Sequence, residues 1–208
     1  MLNNDIFDRI DRIYAALGEV QETDISNIKP KVRGDRHKIR IYQDWMGGLK
    51  EADITNLANS LIANIASLEY RLEQWAHHNN KDKGVVDKIF KASKELKIIH
   101  DLWNNDKHGY PPRQPSKSGL CPRADKFNRV LQMVTKAEEG SSMCLTFNRQ
   151  GAQQIKGAGA AKVIITGDIL DKDGNKVGDF YSTVSKALEA WERVLDIFGI
   201  KILISGNP

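Results

Sequence analysis

Apolar residues recur at helical spacing over most of the first half of the chain. Ile6, Ile10, Ile13 and Leu17 step by four, three and four, which places them on one face of a helix from Asp5 to Leu17, with Gly18 as its stop. Ile54, Leu57, Leu61, Ile65, Leu68, Leu72 and Trp75 continue the same rhythm and predict a long amphipathic helix from about Ala52 to His78. After the polar bend His77–Gly84, a second seam (Val85, Ile89, Ala92, Leu96, Ile99 and Trp103) predicts another long helix. Two matching apolar stripes joined by a short linker should pack antiparallel, because neither can bury its stripe alone. Between the first helix and this hairpin, the stretch Glu19–Arg33, with Asp24, Ser26 and Pro30 and then Gly34, reads mostly as connection.

The pattern changes after His108. The segment Gly109–Gly119 contains Pro111, Pro112 and Pro115 and cannot continue a helix. Beyond it, Arg129–Thr135, Met143–Phe147 and Lys162–Leu170 are β-rich runs. Asp171-Lys172-Asp173-Gly174-Asn175 suits a hairpin turn, with Lys176–Tyr181 as the returning strand. A last helix follows from Ser182, capped by Ser182 or Thr183, with Val184, Leu188, Trp191, Leu195 and Phe198 on one face. Helices, then strands, then a helix predict an α+β fold: a helical hairpin or bundle, a small antiparallel β region and a C-terminal helix. The expected division is a helical region over 1–110, a Pro-rich connection over 111–126, and a β-meander plus helix over 127–208.

Composition adds exclusions. The 208 residues are 40% hydrophobic and 28% charged, ordinary for a globular protein. No run reaches the roughly 18 apolar residues of a membrane span, and the N-terminus lacks a signal-peptide pattern. Only Cys121 and Cys144 are present, so the expected setting is the reducing cytoplasm. The net charge is +4, yet it is unevenly spread. Lys29, Lys31, Arg33, Arg36, Lys38, Arg40 and Lys50 form one basic stretch, and Arg113, Lys117, Arg123, Lys126 and Arg129 form another. Of these, Arg33, Arg36, Lys38, Arg40, Arg113 and Lys117 are the candidate phosphate contacts for a nucleic acid. A plain solvated surface accounts for the same charges.

The densest chemistry is His100-Asp101-Leu102-Trp103-Asn104-Asn105-Asp106-Lys107-His108, at the end of the second long helix. His108 could act as acid or base near neutrality, Lys107 could offset an anion, and Asn104 could position a phosphate oxygen. Ordinary helix C-capping, with Lys107 and His108 in the last turn before Gly109, explains the residues equally.

Leu72-Glu73-Gln74-Trp75-Ala76-His77-His78 closing one helix, and Leu102-Trp103-Asn104-Asn105-Asp106-Lys107-His108-Gly109-Tyr110-Pro111 closing the next, resemble small bacterial HEPN-type helical proteins over about residues 52–112. Many members are metal-independent ribonucleases with an Arg, four to six intervening residues, then a His. Asn104 and His108 match that pattern, while Trp103 stands where the family's arginine falls. The resemblance implies a homodimer and an RNA-directed protein of toxin or antiviral-defence type, with His108, Asn104 and Lys107 as catalytic residues if it cleaves RNA. A non-catalytic interaction module that binds a protein partner (an antitoxin, immunity or regulatory subunit) is the alternative.

Metal and cofactor signals are weak. His77 and His78 lie by the bend, and His108 lies about 35 Å away along the second helix, too far to share an ion. Asp171–Asp179 lacks the glycine and glutamate of a calcium loop. Gly157–Ala161 precedes a strand, so it reads as a flexible connector and not as a phosphate-cradling loop. No metal or cofactor is expected. Cys144 reads as a small buried hydrophobe and Cys121 as exposed, while Trp45, Trp75, Trp103 and Trp191 read as packing residues.

Overall fold

The computed structural model of the protein describes residues 6, 8–13, 30–34, 39–43, 49–110, 115–135, 143–148, 151–157 and 159–200, with backbone alone for 30–34, 39–43, 131–135, 143–148, 151–157 and 159–163. Within them the fold is α+β. Helix α1 (residues 8–13) precedes a hairpin of β1 (Pro30–Gly34) and β2 (Ile39–Gln43), then α2 (Glu51–His78), α3 (Gly84–Ala92) and α4 (Lys94–His108). The strands β3 (Arg123–Ala124), β4 (Asn128–Thr135), β5 (Met143–Asn148), β6 (Gly151–Gly157), β7 (Gly159–Thr166), β8 (Asp168–Leu170) and β9 (Lys176–Asp179) lead into α5 (Phe180–Phe198).

The long seam of α2 is buried as its spacing predicts: Ile54, Leu61, Ile65, Leu68 and Leu72 are all inside. Its partner packs antiparallel. Asn59 near the start of α2 donates to Asp106 near the end of α4, at 3.1 Å. The expected second long helix is two. The backbone turns extended at Ser93, whose hydroxyl accepts from the Leu96 N–H at 3.1 Å and so caps α4. The expected seam holds in α4, where Leu96 and Ile99 are buried, but not in α3, which buries Val86 and Phe90 and leaves Val85 and Ile89 half-buried and Ala92 exposed, because the break at Ser93 frees α3 to turn a different face to the core.

Helix α5 completes the bundle. Trp191 is fully buried and its indole N–H donates 3.1 Å to the Ile65 carbonyl of α2. Trp75 stacks on Phe198 with ring centres 5.4 Å apart. Ile10 and Ile13 of α1 meet Leu68 of α2 and Leu188 of α5. The helix begins at Phe180, two residues before the expected start, and its cap is Asp179, whose carboxylate accepts from the Ser182 N–H, and neither Ser182 nor Thr183.

All described strand pairs are antiparallel. β5–β6 is nested inside β4–β7, and β8 lies between β3 and β9. The Asp-Gly turn forms as read: the Asp171 carboxylate accepts from the Asp173 and Asn175 N–H groups, and Gly174 takes φ 86°. Four readings change: the run Lys162–Leu170 is two strands, β7 and β8, parted at Gly167, and the returning strand expected over Lys176–Tyr181 ends at Asp179. Residues 30–34 and 39–43 form a hairpin, with Val32 opposite Ile41 and Arg33 opposite Arg40, where some of that stretch reads as connection. Of the glycine-rich stretch 157–161, Gly157 ends β6 and 159–161 open β7, so these residues are strand and not a flexible connector, while 158 lies outside the described residues.

One core runs through the described residues. Phe127, Ile165 and Ile169 from the β region join the buried side chains of all five helices. The 111–126 connection therefore does not mark a boundary between separate cores, and its described part, 115–126, is tied to α4 and β8.

Candidate functional site

The polar end of α4 is the site to build, because it gathers most of the chemistry read from the sequence. Leu96, Ile98, Ile99 and Leu102 hold the helix in the core. That leaves Asn104, Asp106, Lys107 and His108 toward its outer end, which Gly109 terminates by donating to the Asn105 carbonyl at φ 82°. Asp101, by contrast, points inward and is only 4% exposed.

Asp101 anchors the segment after the prolines. Its Oδ1 accepts from the Lys117 N–H at 2.7 Å, and its Oδ2 accepts from the Ser116 hydroxyl, the Ser118 hydroxyl and the Ser118 N–H at 2.5, 2.6 and 2.8 Å. Burial pushes this carboxyl upward. The His100 ring and the Ser116 and Ser118 donors outweigh it and hold the group at about 2. Asn105 adds a second tether by donating 2.7 Å to the Pro122 carbonyl. Opposite, on α2, burial raises the Glu69 carboxyl, against the pull of His100 and Lys117.

The three expected catalytic side chains stand differently. Asn104 pairs with the His100 ring nitrogen at 3.2 Å, so its amide is directed back along the helix. The Lys107 ammonium sits 3.7 Å from the centre of the Trp103 ring, a cation–π contact. His108 is exposed, one helical turn beyond Asn104. The spacing thus brings Asn104 and His108 to one side of the helix, while the nearest aromatic engages the lysine. No arginine joins His108 in any described contact. Trp103 has a structural role of its own: it edges the His100 ring and carries Lys107.

Of the expected phosphate contacts, Lys117 is on the Asp101-held turn, while Arg33 and Arg40 face each other across the β1–β2 ribbon by register. Arg36, Lys38 and Arg113 lie outside the described residues, as do Trp45 and the side chain of Cys144. Cys121 is half-buried and free, not exposed, with φ 46°. Two site features escape the sequence reading. Ser116 and Ser118 are the partners of Asp101, and nothing local announces a bond 15 to 17 residues away. The ribbon carries Lys31 and Tyr42 beside Arg33 and Arg40; the alternation Lys31-Val32-Arg33 and Ile39-Arg40-Ile41-Tyr42 is the period-two signal that marks it.

Among the described residues no three His, Cys, Asp or Glu side chains are grouped to hold a metal ion. No described helix is long and apolar enough to cross a membrane. The chain matches no family model, no curated protein and no solved structure.

Proposed function

We propose that the protein is an RNA-directed binding module, and that the polar end of α4 serves to build it and not to cut RNA. The observation that carries this reading is the register of β1–β2. It places Lys31 opposite Tyr42 and Arg33 opposite Arg40, all on one face, with Val32, Ile39 and Ile41 on the other. Three cations and an aromatic on one side of a short ribbon suit a phosphate backbone and a stacked base. The helix end points away from catalysis: Asp101 and Asn105 are tied to the 116–122 segment, Lys107 to Trp103 and Asn104 to His100. A free phosphorane-stabilising arginine beside His108 would have argued the reverse.

The test is binding of labelled single-stranded and duplex RNA over a range of salt. The expected affinity falls with salt by a slope of roughly 2–3 in the logarithms, for about three phosphate contacts. The double substitution Arg33→Glu, Arg40→Glu should abolish measurable binding and leave the fold intact. Binding unchanged by that pair overturns the proposal, and capture of a protein partner by the same face would replace it. Incubation with RNA in excess EDTA decides on chemistry. Cleavage lost on His108→Ala would establish a metal-independent ribonuclease; intact RNA is the expected result.

A further inference from the structure

Strands β1 and β2 hold three cations and no carboxylate: Pro30-Lys31-Val32-Arg33-Gly34 is paired with Ile39-Arg40-Ile41-Tyr42-Gln43. Arg33 stands directly opposite Arg40, and Lys31 stands directly opposite Tyr42, two positions further along. We propose that this ribbon takes single-stranded RNA in preference to duplex, with a phosphate at the Arg33–Arg40 pair and the base of an adjoining nucleotide stacked on Tyr42. The proposal rests on the RNA reading and names the form of RNA that the ribbon takes.

The arginine pair marks the phosphate position. Like charges directly opposite each other destabilise an antiparallel pair, and a two-stranded ribbon is marginally stable by itself. An anion between the two arginines turns that repulsion into attraction. Arginine suits a phosphate because its planar fork bonds two oxygens at once. No Asp or Glu within either strand can neutralise the pair from inside the ribbon.

Tyr42 decides the form of the ligand. Cations alone would favour a duplex: each neutralised phosphate releases about 0.9 counterion from a B-form duplex and about 0.7 from a single strand. Stacking reverses that order, since one base on an aromatic ring contributes about five- to a hundredfold in affinity. Only an unpaired base can supply it. In an A-form helix the bases stack on each other, and the major groove, which in B-form DNA admits a β-ribbon, is too deep and narrow for side chains to read. The scale agrees. At about 3.3 Å per residue and about 4.8 Å between strands, the four positions fall within roughly 7 by 5 Å. That patch matches about two nucleotides of one strand.

The experiment measures fluorescence anisotropy of a labelled, unstructured RNA dodecamer, alone and annealed to its complement, titrated with the full chain. The single strand is expected to bind at least about fivefold more tightly than the duplex. Its salt slope should be about 2, that of three single-strand phosphate contacts. Tyr42→Ala should remove the preference and leave the duplex affinity unchanged, whereas Tyr42→Phe, which keeps the ring, should preserve it. The ratio in the unsubstituted protein needs no variant, so an alanine chain that fails to fold leaves the test intact. A duplex bound as tightly as the strand, or a preference that survives Tyr42→Ala, overturns this proposal and leaves the RNA reading standing. Binding of neither form overturns both.

Discussion

A side chain's chemistry can be read from its type, but its task depends on what the fold brings to it. Asp101 sits in a cluster that reads as candidate catalytic chemistry, and it proves to be the clamp of the 116–118 turn. The cluster was legible; the clamp was not, because Ser116 and Ser118 lie beyond three prolines in an unpatterned segment. The depressed carboxyl makes a prediction with a defined sign. Its folded value of about 2 lies below the ordinary 3.8, so its stabilisation is complete above pH 4 and is lost as pH falls from there toward 2. The loss amounts to roughly 2 kcal/mol, measurable as a fall in the urea midpoint between pH 5 and 2. Asp101→Asn should cost about 2–4 kcal/mol at pH 7 and flatten that acid dependence, because the amide cannot accept four hydrogen bonds as an anion does. An unchanged acid profile in the variant would remove Asp101 as its source.

At the scale of elements, periodicity served the helices well and failed at two joints. It found α2 within one residue of its start, since a seam of seven apolar positions has one solution. It could not find the break at Ser93, because apolar positions recur at helical spacing straight through it in the sequence although α3 buries Val86 and Phe90 instead; only the cap chemistry of Ser93 ahead of Leu96 marks the spot. Ser93→Ala should therefore cost about 1 kcal/mol in thermal or urea unfolding, far more than a surface serine inside a continuous helix would. The β1–β2 ribbon escaped for a different reason. Its strands are five residues each, too short to stand out against the surrounding Asp, Ser, Pro and Gly. The C-terminal helix was legible as an element, but its indole-to-carbonyl bond across 126 residues was not. Trp191→Phe should cost about 1–3 kcal/mol, since it removes volume and leaves the Ile65 carbonyl without that donor.

Over the whole molecule, the proline-rich composition break suggests a boundary that the packing does not respect. Phe127 sits against Phe180 with ring centres 4.9 Å apart, and Ile165 and Ile169 share the core with α2 and α5. Helix α5 follows the strands in sequence but packs on α2, α3 and α4. Removing the strands' buried residues would therefore expose helical surface as well, and neither region can bury its apolar face alone. The expected outcome is a single cooperative transition. Helical circular dichroism, which reports the bundle, and hydrogen exchange of the Ile165 and Ile169 amides, which reports the β region, should give the same midpoint in urea. Phe127→Ala, placed in the β region, should lower the helical midpoint with it, by about 3–5 kcal/mol at full burial. Two separated transitions, or a Phe127→Ala variant whose helical midpoint does not move, would show two independent cores. The coupling follows from chain order: the strands lie between α4 and α5, which pack together, so the chain must return to the bundle after β9.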